Sequence, residues 1–313
     1  MGHGFLHFLI RRSALAVLLV LLVSSASLWL ISLAPDHLAG FDIDPEVAAA
    51  ERQRLKLDRP FVVQYAAWLS RAARFDFGES LKYGLPVTTL VGERAWNTAL
   101  LGTVSLLLAT LIGIPAGILT GSQRGPLAGF TRVTSVMLVS VPPLVTSFML
   151  LLVASRTGWF PVGGFVSESA GAGEMIRHLI LPCLALAVPL AATLERLQSQ
   201  ALREALGEPS IRAAIARGCS RTRVIWRHAL RLALPPVLAV YGVLVGAVLS
   251  GSFAVEIVMA WPGLGALMYE ALVARDLYLV AGCAAAGAAF LAAGVLGSDV
   301  ALALADPRIG RSP

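Results

Sequence analysis

Apolar residues are gathered along this chain into long blocks. Six of them, near 13–34, 98–121, 133–155, 178–198, 233–255 and 278–304, are long enough to cross a bilayer as helices, which takes about 20 residues. The pattern predicts an all-α, polytopic membrane protein with six transmembrane helices. It divides the chain into a short N-terminal piece 1–12, a first span 13–34, a long loop 35–97, a five-span core 98–304 with a polar loop at 199–232, and a tail 305–313. The first block could be mistaken for a signal peptide. Its apolar stretch exceeds the usual ~7–15 residues and ends on no small-x-small site, so a retained span is expected.

Helix breakers punctuate the blocks. Gly113, Pro115 and Gly117 fall in the second, Pro142 and Pro143 in the third, Pro182 and Pro189 in the fourth. A proline inside a span frees a backbone carbonyl and bends the helix. Two readings stand open: static kinks that serve packing, or bent helices that line a path and rock between states. Gly242, Gly246 and Gly251 in the fifth block, with Gly282, Gly287 and Gly294 in the sixth, predict close helix contacts. In the long loop, Phe61, Val62, Tyr65, Trp68 and Leu69 form one apolar helical face after Pro60.

Charge changes the picture. The stretch IRAAIARGCSRTRVIWRHALRLALPP, residues 211–236, holds six arginines and no acidic residue. An arginine at the bilayer centre costs about 2.5–3.5 kcal/mol, so residues 211–231 are expected to form a loop outside the membrane. Pro235-Pro236 then suits the first turn of the next span. With the N-terminus inside, the inner pieces hold Arg11, Arg12, Arg124, Arg132, Arg308, Arg311 and the arginines between 196 and 231, whereas the short outer loops hold only Arg156, Arg177 and Arg275. This bias places both termini in the cytoplasm. The long loop carries basic residues too, but loops near 60 residues translocate largely regardless of charge.

Within the basic loop, Ile211, Ala214, Ile215 and Gly218 follow helical spacing. Pro209 and Ser210 make a start, with Ser210 the cap candidate, and Gly218 can supply a left-handed stop. A helix this short cannot hold itself together alone. It lies on anionic lipid headgroups, or it is a knob that fits a cleft on a soluble partner. Ala213, Ala214, Ala216 and Gly218 permit close approach and favour the knob.

Composition excludes several classes. The chain is 57% hydrophobic and 14% charged, with mean hydropathy +0.76, where soluble domains run near 25% charged. The net charge of +6 does not signal nucleic-acid binding in a chain of membrane-length apolar blocks. Lys56 and Lys82 are the only lysines and neither follows a glycine, so no phosphate-binding GxxxxGK[ST] loop exists here. Cys183, Cys219 and Cys283 lack metal-ligand spacing, and no metal site is expected. Neither HExxH nor GxSxG is present, which argues against an intramembrane enzyme. Asp299, Glu195 and Glu256 are the candidate charges at membrane depth. For Asp299 an ion pair with a nearby arginine is expected, and for Glu256 and Trp261 either an interfacial helix end or a place near a pathway mouth.

Arg212-Ala213-Ala214-Ile215-Ala216-Arg217-Gly218 resembles the EAA loop of ABC-importer permeases, with Arg212 where the loop's glutamate stands and Pro235 about one helical turn late. With RVIWRHALRLALPP after it, the N-terminal FLIRR, LDRPFVVQYAAWLSRAARFDFGES at 57–80, TLIGIPAGILTG, HLILPCLALAVPLAATLERLQSQAL, VEIVMAWPGLG at 255–265 and Asp306-Pro307-Arg308-Ile309, it resembles the B-type subunit of the dipeptide, oligopeptide and nickel permeases. The likeness covers nearly the whole chain. It implies the type I ABC-importer permease fold in a bacterial inner membrane. It also implies a second homologous permease, two cytosolic ATP-binding subunits that hold ATP and magnesium, and an extracytoplasmic substrate-binding protein, with no cofactor in this chain. Ile211, Arg212, Ala213, Ala214, Ile215, Arg217 and Gly218 would form the element gripped by an ATP-binding subunit. Glu256, Trp261, Pro262, Gly263 and Gly265 would lie near the outer mouth. A bulky residue at Gly218 or Ala214 is expected to uncouple transport from ATP hydrolysis. Di- or oligopeptide cargo leads; nickel or another small solute, and a stand-alone secondary transporter, stay open.

Overall fold

The computed structural model describes residues 3–32, 61–123, 125–164 and 171–305. Arg124, Arg308, Arg311, Lys56, the start of the 57–80 motif and the tail Asp306–Ile309 lie outside the described residues. Among the described residues ten helices follow one another: α1 His3–Ser32, α2 Phe61–Ala72, α3 Val87–Ser122, α4 Pro126–Val139, α5 Pro143–Thr157, α6 Ala172–Leu206, α7 Pro209–Ala216, α8 Arg221–Val258, α9 Leu264–Val273 and α10 Leu277–Ala305. Among the described residues there is no strand, only an isolated bridge between Glu79 and Pro86.

Five helices are long and apolar enough to span a bilayer, and α4 with α5 passes the same test as a pair. Five of the six expected spans are therefore present as continuous membrane-length helices, and the third is a bent pair. The apolar block 133–155 is broken, and α4 and α5 meet at 105°. The cause is local. Proline drives the residue before it out of the helical region, and Pro142, before Pro143, is extended at φ −63°, ψ 149° while Pro143 opens α5. Pro115, Pro182 and Pro189 instead lie within continuous helices.

Pro235 and Pro236 correct the expectation of a span beginning at the double proline. They sit well inside α8, which starts at Arg221 and includes a π-helical turn, Val224–Ala229. Val224, Ala229 and Ala233 are buried in the same core cluster, so packing gives these early turns a stabilised face despite their arginines.

The chain forms two compact units. One comprises residues 1–13, 100–261 and 293–313; the other comprises 14–99 and 262–292. In the first, α6 is the central helix, packed by α4, α5 and α8. Half of its apolar window is buried, against 11% in α1. It meets α3 closely along Gly113, Gly117 and Gly121. A Cβ there would lie 2.5 Å from the Ala191 carbonyl oxygen, 2.7 Å from that of Glu195 and 2.9 Å from that of Ser199, closer than real Cβ atoms come. These residues, read from sequence partly as breakers, are a small-xxx-small seam. The same unit pairs Arg12 Nε with Asp299 at 3.1 Å, as expected for Asp299.

In the second unit Trp68 is fully buried among Leu28, Val87, Leu267 and Tyr278, with Tyr65 and Leu69 packed against them. The amphipathic face expected in the long loop is thus real, although Val62 points outward at 73% exposure.

Candidate functional site

The arginine-rich segment forms the short helix and glycine stop expected of it. Gly207 closes α6, Glu208 is extended, and Pro209 takes the first position of α7. Glu208, not Ser210, therefore occupies the N-cap, because proline at N1 forces its predecessor out of the helix. Arg217 ends α7, and Gly218 at φ +82° turns the chain. The Gly218 N–H bonds to the Ile215 carbonyl at 2.9 Å and the Cys219 N–H to that of Ala214 at 3.2 Å. A Cβ at Gly218 would touch nothing, so the left-handed backbone, not space, demands glycine there.

The candidate coupling residues do not share one face. Ile211 and Ala214 are buried, at 2% and 1% exposure, and Ile211 joins the core cluster that holds Leu202, Ala205 and Val224. Arg212, Ala213, Ile215, Ala216, Arg217 and Gly218 are exposed. Ile215, an apolar side chain more than half exposed, lies on one face with Arg212. Arg212 folds back to donate to the Gly207 carbonyl at 3.0 Å. Just beyond, Trp226 is also exposed, at 62%. α7 is thus bolted down on one side and presents a small, basic and partly apolar surface on the other.

At the far end of α8, Glu256 and Trp261 are both fully buried, which excludes the reading of an interfacial glutamate with a headgroup-anchoring tryptophan. α8 ends in a paired-bond cap: the Trp261 N–H reaches the Glu256 carbonyl at 2.9 Å and the Ala260 N–H that of Ile257 at 3.4 Å. Ala260 holds φ +50°, where glycine is usual. Trp261 packs with Leu101, Val255 and Met259.

In the second unit, the Pro262 carbonyl accepts from Asn97 Nδ2 at 2.8 Å. Gly263 is the extended N-cap of α9, and the Leu264 N–H bonds Thr98 Oγ1 at 2.7 Å. Gly265 lies in the first turn of α9. Pro262 and Leu264 are therefore each held by a side chain of α3.

Sequence reading missed a second fixture of that unit. Buried Asp276 caps α10 through the Leu279 N–H at 3.1 Å. Its other oxygen accepts from Ser80 Oγ at 2.6 Å and the Lys82 N–H at 3.1 Å. Lys82 Nζ donates to Glu270 at 3.0 Å, and the Tyr83 hydroxyl donates to the same oxygen. Burial pushes the Glu270 carboxyl up, but bonds from Tyr83 and Lys82 and the nearby charges of Lys82 and Arg94 outweigh it and hold the group below its ordinary value. Burial likewise pulls Lys82 down, and its contacts with Glu270 and Tyr83 win, raising it. The pairing spans nearly 190 positions of chain, which no local pattern reveals.

Helices of membrane length, one bent pair and a basic helix fastened on one side define a multi-pass membrane protein. Comparison with known proteins gives the family. Residues 113–311 match the model of the binding-protein-dependent transport system inner membrane component, and residues 5–80 match that of the N-terminal part of such components. The chain belongs to this family. The oligopeptide transport system permease protein AppB of Bacillus subtilis is 33% identical over 311 residues, 96% of this chain and 98% of that protein. The oligopeptide transport system permease protein OppB of Mycobacterium bovis is 34% identical over 277 residues, 84% of this chain and 85% of that protein. The protein is thus a multi-pass inner-membrane component of a transport system that depends on a binding protein.

Proposed function

We propose that the protein is one permease subunit of an ATP-driven importer of di- or oligopeptides. The names of its relatives support the cargo. The arginine bias supports termini on the cytoplasmic side, which puts α7 there also. ATP and magnesium are held by two cytosolic ATP-binding subunits, a second homologous permease completes the pathway, and an extracytoplasmic protein delivers the peptide. Nucleotide-driven closure pulls on α7 and shifts the bundle between two states, doing no chemistry on the cargo.

The observation that carries this reading is the two-sidedness of α7. Ile211 and Ala214 fasten it to the bundle core, while Arg212, Ile215, Ala216 and Arg217 face outward. A helix that lies on lipid needs only its outward face. One that transmits force needs the inward bolt as well.

The division also changes the expected mutants. A bulky residue at Ala214 wedges the bolt and harms the fold, whereas Ile215 is the better probe of docking. In the complete importer, Ile215→Cys should cross-link to an ATP-binding subunit, and Ile215→Asp should lower peptide transport about tenfold or more while leaving membrane insertion intact; one tenfold step corresponds to about 1.4 kcal/mol. Normal transport by Ile215→Asp, or transport by this chain without any ATP-binding subunit, would remove the reading.

A further inference from the structure

We infer that the last turn of α3 is the fixed point through which movement of α7 reaches the spans, with Thr120 and Glu195 as its positioning residues. This rests on the importer reading above. Thr120 and Glu195 are each 1% exposed, and the Thr120 hydroxyl donates to Glu195 Oε1, tying α3 to α6. The Thr120 carbonyl accepts from Arg132 Nη2 of α4 at 3.0 Å. The carbonyl of Ser122, the final residue of α3, accepts from Arg221 Nη2 at 2.5 Å. The end of a helix leaves carbonyls without intrahelical partners, and here two of the carbonyls in that turn are taken by arginines from neighbouring elements.

The placement of those elements matters. α6 runs directly into α7, and Arg221 opens α8 on its other side. α7 is itself packed in one cluster with Leu202 and Ala205 of α6 and Val224 of α8. A pull on α7 therefore loads α6 and α8 together, and both grip the end of α3.

The seam is also incomplete in this arrangement. Glu195 Oε2, Gln198 Nε2 and Ser199 Oγ are buried with no hydrogen-bond partner. They recur at i, i+3 and i+4 on α6, one helical face, where Gly117 and Gly121 approach it. Buried polar groups are almost always paired, so three orphans on one seam signal a second packing in which they find partners. Facing glycines leave α3 free of side chains that would block the shift. Such a two-position element is what physical coupling between distant parts requires.

The test uses the whole importer in proteoliposomes and reads ATP hydrolysed per peptide transported. Thr120→Val, Glu195→Leu and Arg221→Ala should each raise that ratio by roughly fivefold or more, the lower end of ordinary coupling effects. Thr120→Val with Glu195→Leu should be no worse than the more severe single variant, since both remove one bond. Glu195→Gln keeps an acceptor for Thr120 and should stay near the parent ratio. Arg221 is exposed, so Arg221→Ala decides the matter should Glu195→Leu fail to insert. An unchanged ratio in Arg221→Ala and Thr120→Val, or effects that multiply in the double variant, overturns the inference. Absence of ATP-coupled transport by the parent importer would instead sink the importer reading itself, and this inference with it.

Discussion

Single side chains here divide into those that allow close approach and those that fix it. Gly117 is the clearest of the first kind, since a Cβ would meet Gln198 Cβ at 2.6 Å as well as the Glu195 carbonyl. Gly117→Val should destabilise the protein by about 1–3 kcal/mol through overpacking. Gly287, with open space around its Cβ position, should accept alanine with no loss, as helix propensity alone favours it. Melting of both variants in detergent, followed by fluorescence-detected chromatography, checks the contrast. Of the second kind is the Lys82–Glu270 pair. The Glu270 carboxyl is lowered on folding, so its contribution is present above the ordinary carboxylate value of 4.5 and fades as pH falls through the lowered value. Lys82 is raised, so its contribution is full below 10.5 and fades as pH climbs through the raised value. Amide exchange of the 80–83 turn, corrected for intrinsic rates, should be flat between those limits and quicken outside them. Glu270→Gln should abolish the acid limb, and an acid limb that survives in that variant would assign it elsewhere.

Helices, in turn, obey local rules except where packing overrides them. The pair Pro142-Pro143 turns the chain through 105°, yet Pro235-Pro236 leaves α8 continuous. The first pair begins a helix whose surroundings offer its preceding turn little cover: Val136, Met137, Leu144 and Val145 are all exposed. The second follows turns whose Val224, Ala229 and Ala233 are buried. Replacing Pro142 and Pro143 by alanine restores two backbone donors and removes the pre-proline restriction, so α4 and α5 should straighten toward one helix. Spin labels at Phe130 and Leu152, both exposed, should then report a longer separation than in the parent, and an unchanged distance would locate the bend's cause in tertiary packing.

At the scale of the molecule, the family, the membrane-length helices and the basic helix were all legible in the sequence. These depend on something local: block length for the spans, and proline and glycine dihedral limits for α7. What could not be read was how far along one helix face the inward cover extends. Ile211 and Ile215 are chemically alike and one turn apart, yet one is 2% exposed and the other 55%. Helical periodicity puts both on one face and does not say at which turn the surrounding core ends. Glu256 and Trp261 are a similar case, since their residue types suit a membrane interface as well as a core, and only the packing around Leu101 and Met259 decided the matter.

Sequence by itself thus determined the membrane-length helices and the proline start and glycine stop of α7, because these follow from solvation and backbone sterics within a few residues. Tertiary structure decided the Gly113–Gly117–Gly121 seam, the grip of Glu195 and Arg221 on the end of α3, and the Asp276 fixture. Those are contacts between residues about 75 to nearly 200 positions apart. Their free energy exists only once the partner surface is in place.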